Sequence, residues 1–133
     1  MSKLKVGLLG CGAISDAYLK GAKEVFYDEF EIVSCADVIM ERAKSKALEY
    51  DIPKAYTPEE LLKDDEVDLV INITVPMIHE ELTLKCLEAG KHVYSEKPLA
   101  VTREGVKKIM DKAKEKGLRV GCAPDTFMSA PMQ

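Results

Sequence analysis

The chain has 133 residues, enough for one domain with a substantial core and too few for two of ordinary size. Its 19 basic and 23 acidic residues leave a net charge of −4, which argues against a nucleic-acid surface or an anionic membrane as partner. No run approaches the ~18 apolar residues of a membrane span, and the four cysteines (Cys11, Cys35, Cys86, Cys122) stand singly, so neither a zinc site nor a disulfide framework is indicated and a cytoplasmic setting is expected.

Met1-Ser2-Lys3 leads straight into Leu4–Leu9, an apolar run read as the first strand, with no signal-peptide layout. Ile14, Tyr18, Ala22 and Val25 then recur at helical spacing. Phe30–Ala36 is a second strand, and Met40–Tyr50, rich in Ala, Lys, Arg and Glu, predicts a helix. Lys54–Tyr56 reads as a brief third strand. Thr57-Pro58-Glu59-Glu60 has the form of a capping box with proline at the first helical position, so a short helix begins there.

Residues 67–74 form the most strand-like segment, closed by Val75-Pro76 because proline donates no ladder hydrogen bond. A helix follows to Ala89, with Gly90 at its end. Residues 92–96 predict a fifth strand, and Thr102 a helix N-cap. Val106, Ile109, Met110 and Ala113 then mark one apolar stripe, while Lys107, Lys108, Lys112, Lys114 and Lys116 mark the wet face. Gly117 stops that helix, and residues 118–123 are a last strand. Apolar strands alternating with amphipathic helices indicate a parallel sheet covered on both faces. Right-handed crossovers give a doubly wound α/β sheet, a three-layer Rossmann fold, most simply with the order 3-2-1-4-5-6. We take residues 1–123 as one domain, while residues 124–133 belong to no closed unit and read as the start of a further one.

Three strand ends carry the chemistry. Gly10-x-Gly12-x-x-Ser15 lies between a strand and a helix, the context in which such a pattern cradles a pyrophosphate. Gly10 permits the tight turn, Gly12 lets backbone approach the anion, and the helix beginning near Ala13 offers free N–H groups. Ser15 stands where a third glycine is usual and could donate to a phosphate oxygen. Asp37 ends the second strand at the spacing of the acid that accepts ribose hydroxyls. It favours NAD over NADP by repelling a 2′-phosphate, although Arg42 nearby keeps NADP open. The plainer alternative makes Asp37 a helix N-cap. At the fifth strand, Glu96-Lys97-Pro98 places a carboxylate and an ammonium where ligands bind in open α/β sheets. His92 at that strand's start, and Cys11 in the glycine turn, are expected to pack.

Gly10-Cys11-Gly12-Ala13-Ile14-Ser15, Ala36-Asp37, Thr74-x-Pro76-x-x-His79, Ala89-Gly90-Lys91-His92-Val93 and Glu96-Lys97-Pro98 occur in order at fitting intervals. Together they resemble the N-terminal domain of the Gfo/Idh/MocA oxidoreductases, over essentially the whole chain. The resemblance implies that Gly10, Gly12, Ala13, Ile14 and Ser15 form the cofactor turn and that Thr74 and Pro76 line the cleft. By the same resemblance His79 caps or packs beneath that turn, Glu96 bonds near the nicotinamide ribose, and Lys97 contacts the substrate hydroxyl or carbonyl. A lysine suits that role because its pKa moves readily with burial and charge. The implied function is hydride transfer between a nicotinamide cofactor and a sugar, polyol or related substrate, in a protein compatible with a homo-oligomer. This chain alone is expected to bind dinucleotide with negligible turnover. A non-catalytic dinucleotide-binding or sensing module is the alternative, which the presence of Lys97 disfavours.

Overall fold

The computed structural model describes residues 4–11, 30–74, 76–95 and 102–122. The helix expected over Ile14 to Val25 and the terminal connection lie outside these residues. The described strands are β1 (Leu4–Leu9), β2 (Phe30–Ala36), β3 (Lys54–Tyr56), β4 (Leu69–Asn72), β5 (His92–Ser95) and β6 (Val120–Cys122). They pair parallel in one sheet in the order β3-β2-β1-β4-β5-β6, the order that right-handed crossovers predict. The described helices are α1 (Met40–Tyr50), α2 (Pro58–Lys63), α3 (Pro76–Glu88) and α4 (Arg103–Lys116).

Period-two alternation along the strands divides the core in two. Leu9, Ala36, Val70 and Val93 meet Leu61 of α2, Cys86 and Leu87 of α3, and Ile109 and Ala113 of α4. Their sequence neighbours Leu8, Cys35 and Ile71 meet Ala43 and Tyr50 of α1 on the other face. The sheet is thus covered on both sides, and each strand reads as continuously apolar for that reason. On β1, Gly7 leaves room for α2: a Cβ there would stand 2.5 Å from Leu61 Cδ1. The capping box forms as predicted, with Thr57 Oγ1 accepting from the Glu60 N–H and Glu60 Oε1 accepting from the Thr57 N–H.

β4 is shorter than the pattern at both ends, beginning at Leu69, and β6 starts later than expected. β4 stops at Asn72 because the Thr74 N–H turns back onto Asn72 Oδ1 instead of continuing a ladder. β6 begins at Val120 because the Leu118 N–H still caps α4 at Ala113 O. β5 matches the expected strand as far as Ser95, and Glu96 lies outside the described residues. The apolar stripe of α4 is also rotated. Gly105, Ile109 and Ala113 are buried, whereas Val106 and Met110 are 37% and 49% exposed. Lys112, expected on the wet face, is half-buried and pairs with Glu88 at the end of α3.

Candidate functional site

The register carries one level row across the whole sheet. Tyr56, Ala36, Leu9, Asn72, Ser95 and Cys122 are successive partners from β3 to β6. Beyond that row, at the carboxyl ends, the chain leaves the ladder through Gly10, Asp37 and Ile73-Thr74. The order of connections reverses between β1 and β4, and a crevice at such a reversal is where open α/β sheets take ligands.

Gly10 opens this crevice. Its φ of +110° lies in a region closed to most side chains, and its N–H donates to Ala36 O at 2.8 Å. A Cβ there would meet the Ile73 carbonyl carbon and oxygen at 3.0 Å and Thr74 N at 3.2 Å. The turn after β1 therefore lies against the turn after β4, backbone on backbone. Close approach of this kind leaves main-chain groups, rather than side chains, facing any ligand.

Asp37 is buried beside the same turn. Its Oδ2 accepts the Cys11 N–H at 2.8 Å, and its Oδ1 accepts the Ile39 N–H at 2.8 Å. It is not the N-cap of α1: that position is Ile39, which makes no side-chain cap. Both carboxylate oxygens keep further acceptor capacity. Gly10, Asp37 and Thr74, which the sequence places in three separate segments, thus converge within one backbone layer.

Cys11 packs, as its place in the turn suggested. Its thiol donates to Ala36 O at 3.4 Å. A hydrogen bond with the Cys35 thiol, reinforced by burial, pushes the Cys11 thiol far above its ordinary pKa. It is an inert packing group at neutral pH. His92 also has a structural place, its Nδ1 accepting the Arg119 N–H at 3.0 Å and tying the start of β5 to the approach to β6. Arg42 lies exposed in the first turn of α1.

Thr74 is held by Asn72. Asn72 Oδ1 accepts the Thr74 hydroxyl at 2.6 Å and the Thr74 N–H at 3.2 Å, while Asn72 Nδ2 donates to Thr83 Oγ1 on α3 at 3.1 Å. Nothing in the sequence pattern marks Asn72 except an amide inside an otherwise apolar run. Pro76 begins α3 and His79 lies in its first turn, with their side chains outside the described set. Gly12, Ala13, Ile14, Ser15, Glu96 and Lys97 lie outside the described residues altogether. Among the described residues no cluster of three or more His, Cys, Asp or Glu could hold a metal ion, and no helix is long and apolar enough to cross a membrane. An apolar groove at the opposite, amino ends of the strands, walled by Leu4, Leu69, His92, Tyr94, Arg119 and Val120, holds none of the residues expected to bind cofactor.

Residues 4–123 match the model of an oxidoreductase family with an NAD-binding Rossmann fold, GFO_IDH_MocA. This chain belongs to the Gfo/Idh/MocA family. Relatives in the family include an inositol 2-dehydrogenase/D-chiro-inositol 3-dehydrogenase of Lacticaseibacillus casei, 33% identical over 119 residues that cover 88% of this chain and 34% of the relative. A 1,5-anhydro-D-fructose reductase of Ensifer adhaerens is 38% identical over 116 residues, covering 86% of this chain and 34% of that protein. Among solved structures, a 3-ketoreductase of Actinomadura kijaniata in complex with TDP-benzene and NADP superposes with a TM-score of 0.85 at 28% identity, over 91% of this chain and 38% of that one. The chain spans about a third of the length of these curated relatives. The part of the family that it matches is the NAD-binding Rossmann fold.

Proposed function

We propose that this domain binds NAD(H) in preference to NADP(H) along the carboxyl edge of β1, β2 and β4, and presents it for hydride exchange with a sugar, polyol or related hydroxyl or carbonyl compound. The observation that carries the preference is Asp37. A buried carboxylate braced on the glycine turn accepts hydrogen bonds from ribose hydroxyls and opposes the roughly two negative charges of a 2′-phosphate placed against it. Gly10, with Gly12, Ala13, Ile14 and Ser15 after it, supplies backbone approach and helix-end N–H groups to the pyrophosphate. Thr74 and Pro76 border the cleft, and His79 supports it from the first turn of α3. When bound, the nicotinamide supplies the hydride donor or acceptor.

Glu96, which follows β5 in sequence, accepts from the nicotinamide-side ribose in this reading. Lys97 holds or passes the proton at the substrate oxygen, a task for which a lysine amine is suited once its surroundings lower its pKa. The chain spans about a third of its relatives' length, and by itself it is expected to bind cofactor with negligible turnover. Titration of the purified chain with NADH and NADPH, followed by nicotinamide fluorescence, tests the reading. NADH is expected to bind the more tightly, and Asp37→Ser is expected to narrow the gap. NADPH binding as tightly as NADH to the unaltered chain overturns the preference.

A further inference from the structure

We propose that Asn72 is a positioning residue for cofactor binding, acting through Thr74, an inference that rests on the dinucleotide reading above. Asn72 is fully buried in the middle of the level row, with Leu9 of β1 on one side and Ser95 of β5 on the other. Its neighbours along the strand are Ile71 and Ile73, and packing alone would favour a leucine or valine there. An amide in such a place is costly unless its polar atoms are matched. Here the matching is directional. The Thr74 backbone N–H can only donate, so the atom that receives it is the amide oxygen, and Nδ2 must therefore face Thr83. One side chain thus links the end of β4, the turn beyond it and the flank of α3.

The arrangement has a chemical consequence. The Thr74 hydroxyl proton is committed to Asn72 Oδ1. Its oxygen therefore meets a ligand as an acceptor, the complement of a ribose hydroxyl or a carboxamide N–H and not of a phosphate oxygen. Asn72 also fixes the Thr74 backbone, against which the Gly10 turn is packed, so a slack Thr74 would loosen the floor of both turns.

The test is a double-mutant cycle on the affinity for NADH, with the thermal unfolding midpoint monitored in parallel. Wild type comes first: no binding of NADH or NADPH defeats the dinucleotide reading itself. Given binding, Asn72→Leu and Thr74→Val are each expected to weaken NADH by about tenfold, the scale of one or two net hydrogen bonds. The double variant is expected to be no weaker than Asn72→Leu alone, because Asn72 acts through Thr74. Thr74→Ser, which keeps the hydroxyl, is expected to restore binding. A stably folded Asn72→Leu that binds like wild type, or strictly additive losses in the double variant, overturns the proposal. Should Asn72→Leu fail to fold, Thr83→Val decides: a loss of about threefold, from an amide released on its α3 side, supports it, and an unchanged affinity overturns it.

Discussion

At the residue scale, the buried polar side chains divide by what they hold. Lys91 is 3% exposed, and its ammonium donates to Asp64 O at 2.7 Å and Val67 O at 3.1 Å. It closes the loop between α2 and β4 through these two bonds, and Asp64 O also accepts the Val67 N–H. Lys91→Met keeps most of the stem volume and removes the donors, and is expected to lower stability by about 1–3 kcal/mol. Urea unfolding monitored by circular dichroism measures it. Ser34 is the opposite case, a buried hydroxyl with no partner among the described residues. Asp37 and Gly10 were legible in the sequence because their spacing from a strand end is itself the signal. Lys91 and Asn72 were not. A lysine following a helix reads as solvent-facing, and an amide in an apolar run reads as an interruption, until the partners appear from segments 24 and 11 positions away.

At the scale of elements, β3 is a three-residue edge strand held by charge as much as by its ladder. Lys54 Nζ pairs with Asp64 at 2.9 Å and Glu66 at 3.1 Å, and Tyr56 donates its hydroxyl to Asp64 at 2.8 Å. Burial works to raise the Asp64 pKa, but the Lys54 bond, the Glu66 backbone N–H and the Tyr56 hydroxyl outweigh it and hold the carboxyl at about 2, below its ordinary 3.8. A carboxyl depressed on folding contributes stability above its unfolded pKa and loses it as the pH falls through the folded one. Wild type is therefore expected to lose stability between pH 3.8 and about 2 more steeply than Asp64→Asn. Urea midpoints across that range check it; parallel slopes would remove the assignment. The same scale shows why α4 was placed correctly yet rotated wrongly. Its apolar residues allow two adjacent stripes, and the one buried runs through Gly105, Ile109 and Ala113.

At the scale of the whole molecule, the strand order followed from little more than alternating periods and the handedness of crossovers, since few topologies survive both. Ladder ends were less legible, because side-chain bonds such as Thr74 to Asn72 decide where a strand stops. The net charge of −4 gives an anionic dinucleotide no long-range attraction, so affinity has to come from local N–H groups at the crevice. Binding to the folded state alone then stabilises the fold by mass action. NADH at a hundred times its dissociation constant is expected to add about 2.7 kcal/mol, and equimolar NADPH less. Urea midpoints with and without each dinucleotide measure this, and an unmoved midpoint with NADH contradicts it.

The level row from Tyr56 to Cys122 also separates two kinds of freedom. Below it, each residue answers to a partner strand and a covering helix, and a change there is felt as lost stability. Above it, in the dinucleotide reading, the connecting turns answer to a ligand, and a change there is felt as altered binding. Asn72 stands on the boundary and answers to both. A swap of the segment after β4 that leaves Asn72 behind would carry over the letters of a new turn without the anchor that gives it shape.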